Sequence, residues 1–434
     1  MWFRRADSRA IARTAAAVVL ALAWCAGASA APKVSDEVKF KLKPGAKGKL
    51  CLGCHVDFED KLKLPSVHTP VKNGDCVDCH SPHDSDHGKL LAAAPSEICK
   101  ACHAGIVPEG AKSVHAALAK AGCVGCHDPH ASENKFNLLE PGNELCLSCH
   151  TDIGDQVAKV QFRHPPVASG CVTCHDPHAS VKSGFLLAKE EGALCAGCHK
   201  TDAATFKKAH MGYPVEKGRC TSCHDPHGSD AQAMLWPNVH KPVAAKMCAQ
   251  CHNDPGSKDP LATRRAGIEI CRGCHASVVG DAMSAGHLHW PVADARACLN
   301  CHNPHATKEP KLVKAPLKTL CGGCHADTIR READSVTKHP PVDEGDCTSC
   351  HQPHAGDNAF LLVAANTIDL CGTCHDWQQH SGHPIGPKVV DPRDKNLTLS
   401  CESCHRNHGT PFKAFTHADP KGPLCVQCHT SFGR

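Results

Sequence analysis

The sequence predicts a fold of mostly irregular loops and short α-helices, wrapped around an elongated stack of bound groups, with little or no β-sheet. Three observations predict it. Aromatic residues make up only 4% of the 434, with a single tyrosine, Tyr213, too few for a conventional core. The 33 cysteines and 35 histidines far exceed what a globular protein of this size uses. The cysteines also recur in one short motif at nearly constant spacing, the mark of a repeat architecture.

At the N-terminus, Arg4, Arg5, Arg9 and Arg13 precede an apolar stretch from Ala15 to Trp24, and Ala28-Ser29-Ala30 offers small residues for cleavage. This pattern predicts a Sec-type signal peptide over residues 1–30. The apolar run is short for a membrane anchor and no second run follows, so the mature chain is expected to carry no transmembrane segment. Arg4-Arg5 lacks the rest of a twin-arginine signal, and Trp24 is bulky for the position before a lipidated cysteine, which argues against Cys25 as an anchor. The expected destination is the periplasm, with an extracellular or outer-membrane-associated location as the alternatives.

The other 32 cysteines all fall into sixteen Cys-x-x-Cys-His motifs, leaving none for disulfides, zinc or a catalytic thiol. The cysteine pairs are Cys51 and Cys54, Cys76 and Cys79, Cys99 and Cys102, Cys123 and Cys126, Cys146 and Cys149, Cys171 and Cys174, Cys195 and Cys198, and Cys220 and Cys223. They continue with Cys248 and Cys251, Cys271 and Cys274, Cys298 and Cys301, Cys321 and Cys324, Cys347 and Cys350, Cys371 and Cys374, Cys401 and Cys404, and Cys425 and Cys428. Two thiols at this spacing reach the two vinyl groups of one haem, and the next histidine then sits beneath the iron. The proximal ligands are therefore His55, His80, His103, His127, His150, His175, His199, His224, His252, His275, His302, His325, His351, His375, His405 and His429, one for each of 16 covalently attached haems c. A zinc half-site or a redox dithiol does not require a histidine after every pair.

Each iron needs a sixth ligand, and nineteen histidines remain. Nine precede a motif: His68, His115, His164, His210, His240, His289, His339, His383 and His417, with His383 set apart by eighteen residues from Cys401. Proline closely follows His68, His164, His240, His289 and His339, where its fixed dihedral holds an extended segment against a haem edge. Seven more form a tail three residues past a proximal histidine: His83, His130, His178, His227, His305, His354 and His408. These sixteen match the iron count and predict bis-histidine ligation; His87, His287 and His380 are spare, with His287 against His289 and His380 against His383 decided only by neighbouring prolines. A tail histidine extends at most about 11 Å from its proximal neighbour, too little to round the macrocycle, so it is expected to serve a different haem.

Two kinds of motif alternate. The first follows Leu or Ile, as in Leu145-Cys146; the second follows a spacer histidine and ends in the tail histidine. Apolar elements such as Leu90-Leu91, Leu138-Leu139, Leu186-Leu187 and Leu361-Leu362 lie between pairs, suited to covering a porphyrin face. Alternation breaks at Cys248 and Cys425, which suggests a nine-haem array over residues 31–255 and a seven-haem array over residues 256–434, joined through the Pro-, Gly- and charge-rich stretch from Asn253 to Gly267. Repeats that contact mainly their neighbours tend towards elongated arrays, with a compact cluster as the alternative. The stretch from Gly386 to Leu399 departs from the repeat and is read as a surface excursion in preference to a docking loop.

Paired motifs with a Cys-His-x-Pro-His tail resemble the doubled-CXXCH multihaem c-type cytochromes, including the periplasmic decahaem cytochromes of metal-reducing bacteria; the likeness covers nearly the whole mature chain. It implies a multihaem cytochrome c fold and an electron-transfer conduit in an anaerobic or metal-linked respiratory chain. Its partners would be other cytochromes or quinol-linked donors, with an outer-membrane porin as a further candidate. Sixteen motifs and the break at Cys248 depart from that pattern and put the porin role in doubt. No nucleic-acid partner is expected.

Saturated bis-histidine irons suit electron transfer and argue against an enzyme, which needs an open iron. One alternative is an oxidoreductase with a vacant iron near His289 or His383; another is an extracellular haem filament or terminal metal reductase. The formal charge of +4 is a poor guide to partners, because haem propionates would carry the protein well below zero. With so little apolar side chain, the chain is expected to fold only with haem inserted.

Overall fold

The computed structural model describes residues 48–376 and 382–433. The expected signal peptide and His380 lie outside them. Two compact units are formed, one from residues 48–94 and 128–137, the other from residues 95–127, 138–376 and 382–433. Neither boundary coincides with the expected division at 255/256.

The two kinds of motif take different local structures. The first cysteine of a first-kind motif lies in a short α-helix, as in Pro95–Cys102, Gly142–Leu147, Glu191–Ala196, Leu317–Gly322 and Thr367–Gly372. Proline opens Pro95–Cys102, where its missing N–H costs no helical bond, and the Asn366 side chain caps the last of these helices by accepting from the Asp369 N–H at 2.9 Å. Second-kind motifs instead form single 3-10 turns, as at Cys76–Asp78, Cys171–Thr173, Cys220–Ser222 and Cys347–Ser349. Cys248–Gln250 and Cys425–Gln427 take this second form, as their spacer histidines imply.

Four spacer segments combine an extended histidine with a short helix, whereas His210 closes the helix Ala204–Ala209. His68, His240, His289 and His339 are extended, and the following proline sits in the first turn of a four- or five-residue helix. The residues just before a spacer histidine pair antiparallel with those just after a tail histidine. In the first unit Ser66–Val67 pairs with Ala131–Ser132. In the second unit the same two-residue ladders join Ser113–Val114 to Ala179–Ser180, Phe162–Arg163 to Gly228–Ser229, Asn238–Val239 to Ala306–Thr307, and His287–Leu288 to Ala355–Gly356. The third of these ladders bridges the Asn253–Gly267 stretch on which the sequence places its joint.

The core is thin. Among the described residues the buried apolar side chains are Ala131, Ala179, Tyr213, Val279, Ala282, Ala297, Ala306, Ile368 and Leu370, while Phe136, Phe185 and Phe360 are 81%, 78% and 85% exposed. Large aromatic rings left in water at equivalent repeat positions are surface suited to an apolar group the polypeptide does not supply. These phenylalanines open tight turns whose two central residues are both left-handed, as at Phe185 and Leu186 (φ 55° and 58°) or Phe360 and Leu361 (φ 57° and 56°). Non-glycine residues adopt this conformation at a cost of about 1–2 kcal/mol each, so its recurrence marks a structural demand.

The stretch read as an excursion has a structural role. It forms a hairpin of Val390–Asp391 and Asp394–Thr398. Asp391, 2% exposed, accepts from Arg393 Nε at 2.9 Å, from another Arg393 guanidinium nitrogen at 2.6 Å and from Ser403 Oγ at 3.0 Å. Arg393 also donates to Gln427 Oε1 at 3.2 Å. Ser403 and Gln427 lie between the cysteines of the last two motifs, so the hairpin ties those two turns together.

Candidate haem-attachment sites

In both kinds of motif, the histidine N–H donates to the carbonyl of the first cysteine, at 3.0 Å for His175 to Cys171 and 2.9 Å for His325 to Cys321, which closes the turn and presents both thiols beside the imidazole. The described cysteines form no disulfides. First cysteines of paired motifs lie close enough to perturb each other's ionisation: Cys51 with Cys76, Cys146 with Cys171, Cys195 with Cys220, Cys271 with Cys298, Cys321 with Cys347, and Cys371 with Cys401. Burial, and then the Cys220 thiol, pushes Cys195 up to about 12.

The spacer histidines are oriented through Nδ1. That atom meets a proline carbonyl in the tail segment at 3.0 Å for His68 and Pro129, 2.9 Å for His115 and Pro177, 2.8 Å for His164 and Pro226, 2.9 Å for His240 and Pro304, and 2.8 Å for His289 and Pro353. A carbonyl only accepts, so Nδ1 carries the proton and Nε2 keeps its lone pair for a metal.

Six proximal histidines of the second kind use the left-handed turns in the same way, whereas His252 Nδ1 bonds the Leu261 carbonyl at 2.8 Å. Nδ1 of His80 donates to the Lys89 carbonyl at 2.9 Å, His175 to Phe185 at 2.8 Å, His224 to Ala233 at 2.8 Å, His302 to Lys311 at 2.9 Å, His351 to Phe360 at 2.9 Å and His405 to Ala414 at 2.7 Å. Each acceptor is the first left-handed residue of its turn. The backbone strain thus coincides with aiming an imidazole.

Tail histidines are set by the residue after the proximal one. Asp128, Asp176, Asp225 and Asn303 accept the N–H of His130, His178, His227 and His305 at 2.9, 3.0, 3.0 and 3.1 Å, an Asx turn stiffened by the intervening proline. Burial holds His178, His227, His305, His354 and His408 below the ordinary imidazole range, favouring the neutral form that a ligand needs.

These devices bring the rings together in pairs. Tail histidines face second-kind proximal histidines two motifs earlier: His130 faces His80 with centroids 6.0 Å apart, His178 faces His127 at 6.1 Å, His227 faces His175 at 6.2 Å, His305 faces His252 at 5.8 Å, His354 faces His302 at 6.1 Å and His408 faces His351 at 6.0 Å. Spacer histidines face the proximal histidine one motif beyond their own: His115 with His150 at 6.1 Å, His164 with His199 at 6.0 Å, His240 with His275 at 6.1 Å, His289 with His325 at 6.3 Å, His339 with His375 at 6.2 Å and His383 with His429 at 6.2 Å. His210 departs from this order and faces His224 of its own motif at 6.2 Å, where the alternation breaks.

Two metal–nitrogen bonds of about 2 Å plus the two ring radii place axial imidazoles about 6 Å apart, so the residues present fit a bis-histidine haem iron. Most pairs are near parallel, while His210 with His224 and His383 with His429 are turned by 66° and 61°.

The ring that faces His325 is His289; His287 lies in a strand pairing with Gly356. His417 is placed otherwise than expected, for its Nε2 bonds the Ser403 carbonyl at 2.9 Å. Among the described residues no histidine ring faces His55 or His83. The sequence reading missed the Asx residues and the carbonyl acceptors; the recurrent Asp or Asn before the tail proline was the available signal.

Sixteen covalent-attachment motifs, loops in place of a core, and imidazoles paired at the spacing of one metal define a multihaem c-type cytochrome, a class whose haem supplies one-electron chemistry. The chain belongs to the doubled CXXCH motif family, whose model matches residues 68–107, 115–155, 164–204, 213–239, 240–280, 289–330, 339–380 and 395–434. No curated protein matches it. No helix among the described residues is long and apolar enough to cross a membrane.

Proposed function

We propose that this chain carries sixteen haems c as an electron conduit of an anaerobic or metal-linked respiratory chain, exported to the periplasm and exchanging electrons with other cytochromes or quinol-linked donors. The observation that carries this reading is the repeated facing of proximal and distal imidazoles, because two strong axial ligands keep iron coordination unchanged between oxidation states. The contacts between first cysteines support close approach of the two haems in each pair. The nine- and seven-motif stretches then form one succession, since His240 with His275 and His252 with His305 cross the segment between them. Intact mass and low-temperature electron paramagnetic resonance of the oxidised protein test the reading. Sixteen haems with low-spin signals are expected; a smaller number overturns it.

A second reading, an oxidoreductase with one open iron, is favoured at a specific place by the ring of His55, which no histidine ring faces among the described residues. The alternatives near His289 and His383 lose ground, because each of those rings faces a proximal histidine. A high-spin signal that shifts on adding cyanide, and that is lost when Cys51 and Cys54 are replaced by alanine, would establish it. An extracellular filament or terminal metal reductase would instead be recognised by cell fractionation and by the assembly state of the secreted protein.

A further inference from the structure

At five spacer histidines a proline carbonyl takes the Nδ1 proton, and at His339 the pattern changes. The tail segment there reads Arg406-Asn407-His408, with Asn407 where the others have proline, and among the described residues the buried Nδ1 of His339 has no hydrogen-bond partner. Glu332 lies beside it. This residue is 0% exposed, its Oε1 accepts the backbone N–H of His339 at 3.0 Å, and its Oε2 has no partner among the described residues. One buried donor without an acceptor and one buried acceptor without a donor thus belong to two residues that are already bonded to each other. Leaving both unmade would cost about 1–3 kcal/mol each, whereas joining them satisfies both.

The surrounding chain is built to deliver this carboxylate. Glu332 comes from the helix Ala326–Ala333, which approaches the tail segment so closely that a β-carbon on Gly409 would lie 2.5 Å from the Arg331 carbonyl oxygen and 2.9 Å from Glu332 Cα. The equivalent position carries alanine at Ala131, Ala179, Ala306 and Ala355, and glycine at Gly228, where the close neighbours are Phe162 and Arg163 in place of a helix end. Gly409 also has φ +95°, a conformation that glycine adopts without strain. Lys338 Nζ bonds the carbonyls of Glu332 and Ala333, and Ser335 Oγ donates to the Thr410 carbonyl at 3.1 Å, so the end of the helix is fixed against the tail.

We infer that Glu332 is a positioning and tuning residue for the iron faced by His339 and His375: its carboxylate accepts the Nδ1 hydrogen bond of His339 and sets that haem at a lower reduction potential than those whose distal imidazole bonds a peptide carbonyl. The inference rests on the reading of His339 and His375 as axial ligands. An anionic acceptor pulls the Nδ1 proton more strongly than a neutral carbonyl, which makes Nε2 a better electron donor and favours the ferric iron over the ferrous.

The test compares the full-length haem-loaded protein with Glu332→Gln, an exchange that keeps the shape and an acceptor oxygen but removes the charge. Intact mass and mass mapping of the Cys371–Cys374 peptide establish haem content, and a potentiometric titration followed by electron paramagnetic resonance reads the potentials. The expected result is unchanged haem content and one single-electron component moved upward. Its ferric-to-ferrous ratio at fixed potential should fall tenfold or more, about 59 mV, while the other components stay in place. Superimposable titrations at equal haem content overturn the inference. A wild-type Cys371–Cys374 peptide without haem overturns the ligation reading instead. Should the glutamine variant not be recovered with its haem, Glu332→Asp, which keeps the charge and shortens the reach, is read in its place: a smaller upward shift of the same component supports the inference, and an unmoved component overturns it.

Discussion

His178 faces His127 at 6.1 Å, while His175, three residues before it, faces His227 at 6.2 Å. A tail histidine and its proximal neighbour therefore look towards different partners, and the Cys171 motif is stitched to the motif two before it and the motif two after it. If both rings of a facing pair bind one iron, every haem inserted closes a loop of chain between distant residues, which is how a polypeptide with so thin a core gains order.

Replacing His178 with alanine is expected to create one high-spin haem at Cys123 and Cys126, not at the adjacent Cys171 and Cys174. Electron paramagnetic resonance should show the new high-spin signal. It should vanish when His178→Ala is combined with Cys123→Ala and Cys126→Ala. Persistence of the signal in that combination, with its loss on removing Cys171 and Cys174, would reverse the connectivity.

Ala233 holds φ at 59° while its carbonyl accepts from His224 Nδ1 at 2.8 Å. A β-branched residue tolerates this conformation poorly, so Ala233→Val should destabilise the haem-loaded protein by about 1–3 kcal/mol in denaturant unfolding. Ala233→Gly should lie within about 1 kcal/mol of wild type, because relief of strain offsets the added freedom of the unfolded chain. Equal stabilities for the valine and alanine forms would remove strain from the account.

The Arg393 guanidinium beside Asp391 holds its carboxyl far below the usual carboxylate range, outweighing the opposing effect of burial. Because the folded-state pKa is the lower one, this ion pair stabilises the fold above about pH 4 and loses that contribution as pH falls through the depressed value. Acid unfolding of Asp391→Asn should therefore be less steep with pH than that of wild type below about pH 4, and at neutral pH the variant should be the less stable protein. Parallel acid profiles would contradict this.

Gly409→Ala should act like a change at Glu332, although residue 409 carries no charge. The added methyl displaces the backbone at Arg331 and Glu332, so the component shifted in Glu332→Gln should also shift in Gly409→Ala, with a loss of unfolding free energy of about 1–3 kcal/mol. Titrations identical to wild type would show that the helix yields without moving the carboxylate.

Much of this arrangement was legible in the sequence because covalent chemistry made it local. The spacing of Cys171, Cys174 and His175 fixes an attachment turn whatever surrounds it, and the alternation of Leu145-Cys146 with His164…Cys171 already separated helical from 3-10 motifs. The tail histidines were recognisable for the same reason, since each lies three residues past a proximal histidine. The prolines after the spacer histidines were read as holding extended chain, whereas in the structure they begin short helices and only the histidine is extended.

The sequence by itself determined the number of attachment motifs, the histidines available to them and the scarcity of any other core. Tertiary structure decided which ring faces which. It set His289 in place of His287 opposite His325, turned His210 back on His224 of its own motif, gave His417 to a backbone carbonyl, and brought Glu332 to His339. The physical reason is one of range: attachment is written over five residues, whereas a facing pair depends on strands, turns and helices far apart in the chain meeting with sub-ångström agreement, which no local pattern encodes.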